Sequence, residues 1–397
     1  MSKQVINQPK LNIAMVCDPI ADYTAGSFVS ALRFAEILNK RGHKIIFIAA
    51  RSPRHHKDNY YKNIKIYRFF SLLLPKTEKK FYVSFPLVNK IKKILAAEKI
   101  DVLHVLIPTP AAVTAIKATK TLGIKIVYHS HTQPENIFLH LPKAVAGAQI
   151  NRLFYKYLAW ICNKADAIVF PSEFSKKLLT KLNGGIKTAV ISNGVDIDKF
   201  KKIAPEKFFA KFNLPRQTKN MLFVGRLHPE KSVDTLIKAL PLILAQEPDT
   251  RLWIVGSGHL QTELEQLAQK LKVADEVIFF GKISDEDLIL IYNACDLFVL
   301  PSLAELEGMV VLEAMACGKP ILIANAPDSA SVCFVNQNGL LFKPKNPQDL
   351  AKQALKILTD DRLRREMGEA SIRDSRRYDI NQSARNLEKL YYEILRT

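Results

Sequence analysis

Short apolar runs alternate with segments of helical periodicity along most of the chain. The runs KIIFIA, KIVYHSH, TAVIS, RLWIVG and DLFVLPS are typical of strands buried in a parallel sheet. Amphipathic segments separate these runs, which is the alternation expected of βαβ units. The 397 residues suffice for two domains of ordinary size. The pattern therefore predicts a large soluble α/β protein built on parallel sheets.

The most informative segment for function is AELEGMVVLEAMACGKP, near the C-terminus. It carries Glu305 and Glu313, separated by seven residues, with Gly308 between them. The part VLEAMACG predicts a helix that Gly318 stops, which places Glu305 on the loop before it and Glu313 in its first turns. A helix N-terminus offers unpaired amides and a positive dipole to a phosphate, and nearby carboxylates can accept sugar hydroxyls. Two solvated carboxylates on a surface helix remain the alternative.

A second segment, FVGRLHPEKSVDTLIKAL, predicts a strand, a turn and a helix. Arg226 lies at the end of the strand and Lys231 at the start of the helix. At these positions two cations can converge on a diphosphate, one as a planar fork and one as a point charge.

Together the two segments resemble the retaining glycosyltransferases of family 4, which have the GT-B fold. The segments RGHKIIFIA, DVLHVL, ADAIVFPSEFSKKLL, VISNGVDIDKF, LWIVGSG and CDLFVLPS match the family in the same order, over about residues 11–397. The resemblance implies two Rossmann-like domains that face each other across a cleft. We expect an N-terminal acceptor domain at 1–198, a nucleotide-sugar domain at 199–378, and a C-terminal helix at 379–397 that returns to the first domain.

The resemblance also implies roles for single residues. Arg226 and Lys231 bind the donor diphosphate, Glu305 contacts the donor sugar, and Glu313 binds the nucleotide ribose. The amides around Gly308, Met309 and Val310 receive the leaving diphosphate, and the first βα turn, with Gly26 where relatives have a glycine pair, lies under the donor phosphates. The match of LWIVGSG to the family also implies that Gly256 and Gly258 lie on the donor side. A nicotinamide fingerprint is disfavoured there by Gln261 at its third glycine position.

The run KIVYHSHTQPENI ends in polar residues where an open α/β sheet places its site. Because a strand alternates its faces, His129 and His131 point the same way. His131 matches the active-site histidine of the family and is our leading site residue in this domain. His129 and Glu135 are weaker candidates for the acceptor side. His43 and His104 are interpreted as structural.

The positive charge is distributed unequally. Residues 1–200 contain 31 Lys and Arg against 12 Asp and Glu, whereas residues 201–397 contain 27 against 26. Most of the net charge of +20 therefore belongs to the N-terminal domain. Such a field suits nucleic acid or an anionic membrane.

Apolar side chains interleaved with this charge favour the membrane over nucleic acid. In RFFSLLLPKTEKKFYVSFPLVNKIKKIL, aromatic side chains can enter the headgroup region while lysines meet anionic lipid. The alternative is an ordinary core strand and helix with a basic face. The predicted contacts are Phe69, Phe70, Lys76, Lys79, Lys80, Phe81, Tyr82 and Phe85.

These features predict a retaining hexosyltransferase that moves glucose from UDP-glucose to a membrane lipid such as diacylglycerol, by similarity to monoglucosyldiacylglycerol synthases. The alternatives are a soluble or polyprenyl-linked acceptor, or a non-catalytic polyanion-binding relative. We expect no cofactor and no bound metal, because Asp196 and Asp198 of NGVDID only mimic a metal-binding DxD motif. The N-terminus has no signal-peptide core, and no apolar window is long enough to span a membrane. The expected location is cytoplasmic, peripheral on the inner face of the cell membrane.

Overall fold

The computed structural model describes residues 9–18, 26–53, 59–73, 81–131, 148–179 and 185–397. Its chain divides into two compact units, Met1–Ile191 with Asn381–Thr397, and Ser192–Ile380. This division falls close to both expected boundaries, but the segment from Ser192 to Asp198 belongs to the second unit rather than the first. Four predicted site residues, Lys76, Lys79, Lys80 and Glu135, lie outside the described residues.

The first unit is built on a mostly parallel sheet. Its strands are β1 Asn12–Val16, β2 Lys44–Ala50, β3 Tyr60–Tyr61, β4 Ile64–Phe69, β5 Ser71–Leu73, β6 Tyr82–Ser84, β7 Val102–Val105, β8 Lys125–His129, β9 Ala167–Phe170 and β10 Lys187–Val190. The sheet order is β10-β9-β8-β7-β1-β2-β4-β3, and β5 pairs with β6 as a separate antiparallel hairpin. The central strands are buried on both faces, which is why they read as continuous apolar runs.

The described helices of this unit are α1 Gly26–Lys40, α2 Val88–Ala97, α3 Pro110–Thr119, α4 Ala148–Cys162, α5 Glu173–Leu179 and, at the C-terminus, α13 Ile380–Leu395. Helix α13 contacts the unit through several side chains. The Tyr391 hydroxyl lies 2.5 Å from Nδ1 of His104, and a Glu388 oxygen lies 2.7 Å from Nε2 of His43. The last helix thus packs in the first unit.

The second unit contains a six-stranded parallel sheet covered by helices and a separate two-stranded parallel sheet, which is formed by the fifth and seventh of its eight strands. Its strands are β11 Lys219–Val224, β12 Thr250–Val255, β13 Val277–Gly281, β14 Leu297–Leu300, β15 Ala304–Glu305, β16 Ile321–Ala324, β17 Asp328–Ser329 and β18 Gly339–Phe342. Its α-helices are α6 Glu206–Phe212, α7 Val233–Leu244, α8 Gln261–Lys270, α9 Asp285–Ala294, α10 Met309–Ala316, α11 Pro347–Leu358 and α12 Asp361–Ser375. The order β13-β12-β11-β14-β16-β18 is that of a Rossmann-like doubly wound sheet.

Among the described helices, none combines the length and apolar character needed to cross a membrane. Four cysteines (17, 162, 295 and 317) are buried, whereas Cys333 is exposed.

Candidate functional site

The candidate donor residues of the second unit lie at the carboxyl edge of its sheet. The strand order reverses between β11 and β14, which are neighbours in the sheet. Arg226 follows β11 closely, and Glu305 follows β14 on the short strand β15. Ligands of doubly wound sheets bind at such a reversal, outside the carboxyl ends of the strands. The topology therefore brings the two predicted segments to one place.

Lys231 and Glu305 form a direct ion pair. The Lys231 Nζ atom lies 2.5 Å from Oε1 of Glu305, and each side chain is 13% exposed. Lys231 ends a short 3₁₀ turn at Pro229–Lys231. The predicted phosphate-binding cation and the predicted sugar-binding carboxylate thus contact each other directly.

Arg226 is paired with a carboxylate that the sequence pattern did not single out. Its guanidinium lies 3.0 Å from Oε1 of Glu230, whose side chain is 1% exposed while that of Arg226 is 53% exposed. Burial raises the pKa of Glu230, but the charges of Arg226 and Lys231 outweigh this and hold the pKa below its ordinary value. Glu230 is therefore an anion that positions Arg226. In the sequence it looks like a surface residue of a polar turn, because nothing local signals its burial.

Gly256 and Gly258 support the loop that carries Arg226. A β-carbon on Gly256 would lie 1.8 Å from the carbonyl oxygen of Gly225, and one on Gly258 would lie 2.2 Å from that of Leu227. The Leu227 amide donates to the Ser257 carbonyl at 3.0 Å. Both glycines are thus required for close backbone packing, and their predicted contact with the donor stays a prediction.

Helix α10 begins at the site without a side-chain cap. Its N-cap, Gly308, has φ 95°, and a β-carbon there would lie 2.2 Å from the Ser331 hydroxyl. Met309 and Val310 form the start of the first turn and are half-buried. Only glycine fits this left-handed, crowded position, so the chain can turn sharply from Glu305 into a helix whose N-terminal amides suit a phosphate.

Glu313 lies deeper than its helical position suggests. Its side chain is buried, and Oε2 accepts a hydrogen bond of 3.0 Å from the Tyr292 hydroxyl of α9. Burial, followed by the nearby Glu313 charge, raises the pKa of Tyr292 well above its ordinary value, so the phenol stays a donor. Tyr292 thus fixes the carboxylate that is predicted to bind the ribose.

Glu307 anchors the loop between the two predicted carboxylates, and sequence analysis missed it. Its buried carboxylate accepts hydrogen bonds from the Ser192 hydroxyl and, at 3.0 Å, from the Asn193 amide. Its backbone carbonyl accepts from Ser331 at 2.9 Å. The NGVD segment therefore supports the donor loop, and Asp196 accepts from the amides of Asp198 and Lys199 as an ordinary turn.

In the first unit, the end of β8 carries His129 and His131 on one face, as strand alternation predicts. Their ring centroids lie 4.2 Å apart. His129 is fully buried, whereas His131 is half-buried. This burial argues against a direct acceptor contact by His129, because His131 lies between it and the sheet edge. Gly26 is the first residue of α1, and its predicted role under the phosphates stays a prediction.

Asp18 directly follows β1 at the same carboxyl edge and was also missed. It is fully buried, and both the amide and the hydroxyl of Ser84 on β6 donate to its carboxylate. Burial raises the pKa of Asp18 to about 6, although the Ser84 hydrogen bonds oppose this. Burial of a carboxyl group is unfavourable, and a buried one with a shifted pKa often indicates a functional site. The sheet edge that carries Asp18 is therefore a candidate site.

We expect Asp18→Asn to stabilise the protein at high pH. The native state holds the Asp18 proton more tightly than the unfolded state, so stability is lost as pH rises from about 4 through 6. The neutral amide avoids that loss, which gives a gain of up to ~3 kcal/mol at pH 8 and none near pH 3. Urea unfolding at both pH values measures it. Asp101→Asn, at the other end of β1, is the control, and a loss of stability in Asp18→Asn at pH 8 contradicts the prediction.

The predicted membrane segment forms the hairpin β5–β6 and the start of α2. Its exposed apolar side chains are Phe70, Leu72, Leu73, Phe85, Leu87 and Val88. We call these six residues, with the exposed Lys90 and Lys93 beside them, the hairpin patch. One predicted contact is wrong: Phe69 is 5% exposed, because it ends β4 on the face that packs into the core. Phe81 and Tyr82 are half-buried.

Two Rossmann-like units in one chain are the architecture found in the GT-B class of glycosyltransferases. The family model described as Glycosyltransferase Family 4 matches residues 24–199, and the model described as Glycosyl transferases group 1 matches residues 205–374. Together these models account for most of both units. The protein belongs to family 4 of the glycosyltransferases.

Similar proteins differ in what their names say they act on. The chain is 25% identical to alpha-monoglucosyldiacylglycerol synthase of Streptococcus pneumoniae, over 88% of this chain and 78% of that one. It is 26% identical to N-acetyl-alpha-D-glucosaminyl L-malate synthase of Bacillus anthracis, over 98% of each. Among solved structures, Anabaena HepE in complex with UDP and glucose matches with a TM-score of 0.75 and 22% identity, over 96% of this chain and 99% of that one. The structural match supports the fold.

Proposed function

We propose that this protein is a retaining, metal-independent hexosyltransferase that transfers glucose from UDP-glucose to a membrane lipid hydroxyl, most simply that of diacylglycerol. The observation that carries the proposal is the group of two cations and two carboxylates at the strand-order reversal of the second unit, beside the uncapped start of α10. A nucleotide sugar combines a diphosphate, a sugar and a ribose. The two cations of this group can bind the diphosphate and Glu305 can bind the sugar. Glu313, on helix α10, can bind the ribose.

The charges of the group cancel before the donor binds. Arg226 is paired with Glu230, and Lys231 with Glu305. An incoming diphosphate competes with Glu305 for Lys231, because a doubly charged anion at a helix N-terminus attracts the ammonium more strongly than one carboxylate does. Glu305 is then released to accept hydrogen bonds from the sugar hydroxyls. Glu230 is buried and keeps Arg226 in place throughout.

The chemical step uses this charge to stabilise the leaving group. The bond between the anomeric carbon and the diphosphate oxygen breaks, and the acceptor hydroxyl oxygen bonds to that carbon on the same face. The hydroxyl proton passes to the departing diphosphate. Arg226, Lys231 and the amides at Gly308–Val310 stabilise the negative charge that develops there, which is the role a metal ion has in other transferases.

The lipid acceptor is supported by the surface of the first unit. The hairpin patch exposes apolar side chains next to lysines, on the unit that carries nearly all of the net positive charge. A shallow depression of about 440 Å³ lies within this patch, lined by residues 87–90 and by Lys93. Apolar insertion with lysines at the headgroups is how peripheral proteins bind anionic bilayers. The similarity to a monoglucosyldiacylglycerol synthase adds independent support.

The test is transfer of glucose from UDP-glucose to diacylglycerol in vesicles. We expect glucosyl-diacylglycerol with retained anomeric configuration, formed with phosphatidylglycerol vesicles and suppressed at ~1 M salt. Lys90→Glu with Lys93→Glu should weaken vesicle binding at least about 30-fold, since each lysine at such a surface contributes ~1 kcal/mol. Lys270→Glu with Lys352→Glu, exposed on the second unit, is the matched control and should bind normally.

Two outcomes would overturn parts of this proposal. Equal binding to neutral phosphatidylcholine vesicles, or equal loss in the control variant, would remove the electrostatic docking. Transfer to a soluble hydroxy acid such as malate, without transfer to diacylglycerol, would favour the soluble acceptor, which the near full-length similarity to a malate glycosyltransferase supports.

A further inference from the structure

Three histidine rings of the first unit are stacked in one column. The rings of His104 and His129 are nearly parallel, at 12° and 5.5 Å between centroids. The rings of His129 and His131 follow at 4.2 Å and 32°. His104 lies on β7 and the other two at the end of β8, so neighbouring strands of the sheet supply the column. It ends at His131, the candidate site residue.

The inner end of the column is held by the C-terminal helix. The Tyr391 hydroxyl lies 2.5 Å from Nδ1 of His104, and the two rings meet edge to face at 5.8 Å. Burial raises the pKa of Tyr391 well above its ordinary value, so its hydroxyl stays protonated and is able to donate to Nδ1 of His104. This contact fixes the position of the first ring.

The column is not explained by stability alone. Within the described residues, Nε2 of His104, both nitrogens of His129 and Nε2 of His131 are buried and have no hydrogen-bond partner. Unsatisfied buried polar atoms cost free energy, and most proteins avoid them. Apolar side chains of similar size would fill the same space without that cost. Because the three histidine rings cost free energy in this way, we expect them to have a function in the neighbouring candidate site, which contains His131.

Burial also fixes the charge state of the column. It lowers the pKa of His131 to about 3, and it lowers the pKa of His104 to about 3, with a further contribution from His131. The pKa of His129 is held well below its ordinary value by burial and by its two neighbours. A neutral imidazole can donate from one nitrogen and accept at the other, whereas an imidazolium only donates. Burial keeps His131 in the form that can do both.

We propose that Tyr391, His104 and His129 are positioning residues that hold the neutral ring of His131 in the orientation required for glycosyl transfer. The inference rests on the proposed function, since His131 is the residue that would contact the donor sugar. The C-terminal helix thereby contributes to activity as well as to packing. Tyr391 acts through two intervening rings and touches no substrate itself.

The decisive variant is Tyr391→Phe, which removes one hydroxyl and keeps the ring. We expect kcat for transfer to fall about tenfold, with unchanged KM for UDP-glucose and unchanged UDP affinity. The matched control is Glu388→Gln, one turn earlier on the same helix, which weakens the tie to His43. His43 accepts from the Leu11 amide and has no ring contact with the column among the described residues, so kcat should not change. If the two variants lose kcat equally, Tyr391 contributes only to packing and does not position His131.

A measurement that needs no turnover separates this inference from the proposed function. Nitrogen-15 NMR of the histidine rings reports tautomer and protonation directly. We expect His131 to remain neutral between about pH 5 and 8 and its ring signals to shift in Tyr391→Phe but not in Glu388→Gln. If the His131 signals are unchanged in Tyr391→Phe, the proposal that Tyr391 positions His131 through the other two rings is wrong. An inactive wild-type protein with the expected signals would instead overturn the proposed function.

Discussion

Arg226→Ala and Lys231→Ala are each expected to reduce turnover at least about 100-fold. Each change removes a cation that stabilises the departing diphosphate, a contribution worth about 3 kcal/mol or more in the transition state. Initial rates at saturating acceptor measure the loss. Arg226→Lys should recover part of it, since the charge remains while the planar fork is lost.

Protein stability has to be measured beside turnover in these variants. Removing Arg226 leaves the buried Glu230 without its main partner, at a cost of about 1–3 kcal/mol. Lys219→Ala is the matched control. Lys219 is also ion-paired, in this case with Asp361, but it lies at the amino end of β11, opposite the end that Arg226 follows. Full turnover in folded Arg226→Ala, or an equal loss in Lys219→Ala, would refute the phosphate site.

Local patterns predicted most of the fold correctly. The runs KIIFIA and DLFVLPS became β2 and β14, because central strands of a parallel sheet are buried on both faces and need continuous apolar sequence. The helix after Gly308 also formed where its spacing predicts. These elements depend on neighbours within a few residues, so the sequence alone contains the information that specifies them.

Residues whose importance depends on distant partners could not be predicted. Tyr391 looks like one more apolar position of an amphipathic helix until the fold places it against His104. Glu307 looks like a solvated carboxylate until the NGVD segment reaches it. Phe69 and Phe70 differ by one position, yet only Phe70 is exposed, because successive side chains of a strand leave on opposite faces. Composition could not decide between them.

Glu305→Gln and Glu313→Gln are expected to have different effects on UDP affinity. The neutral amide in Glu305→Gln would hold Lys231 less strongly than the carboxylate does, so the ammonium is freer to bind phosphate and UDP affinity should be retained or increased. Transfer should nevertheless slow by about 100-fold, because the sugar hydroxyls lose a charged acceptor.

Glu313→Gln should weaken UDP binding itself. The Glu313 carboxylate accepts from the Tyr292 hydroxyl at one oxygen, and it is the group that is predicted to accept from the ribose. An amide has one acceptor oxygen in place of two and carries no charge, so it serves the phenol and the ribose less well together. UDP affinity should therefore fall about 10- to 100-fold, as expected for hydrogen bonds to a charged group. Tyr292→Phe is the graded control, because it removes only the donor that orients the carboxylate and should have a smaller effect.

Calorimetry with UDP, run beside the transfer assay, distinguishes the two carboxylates. The ion pair between Lys231 and Glu305 makes the sign of the Glu305→Gln effect the critical observation. If Glu305→Gln lowers UDP affinity as much as Glu313→Gln does, then Glu305 binds the nucleotide. The ion pair of Glu305 with Lys231 would then not compete with phosphate binding. Unchanged affinity in Glu313→Gln would instead assign the ribose to another residue.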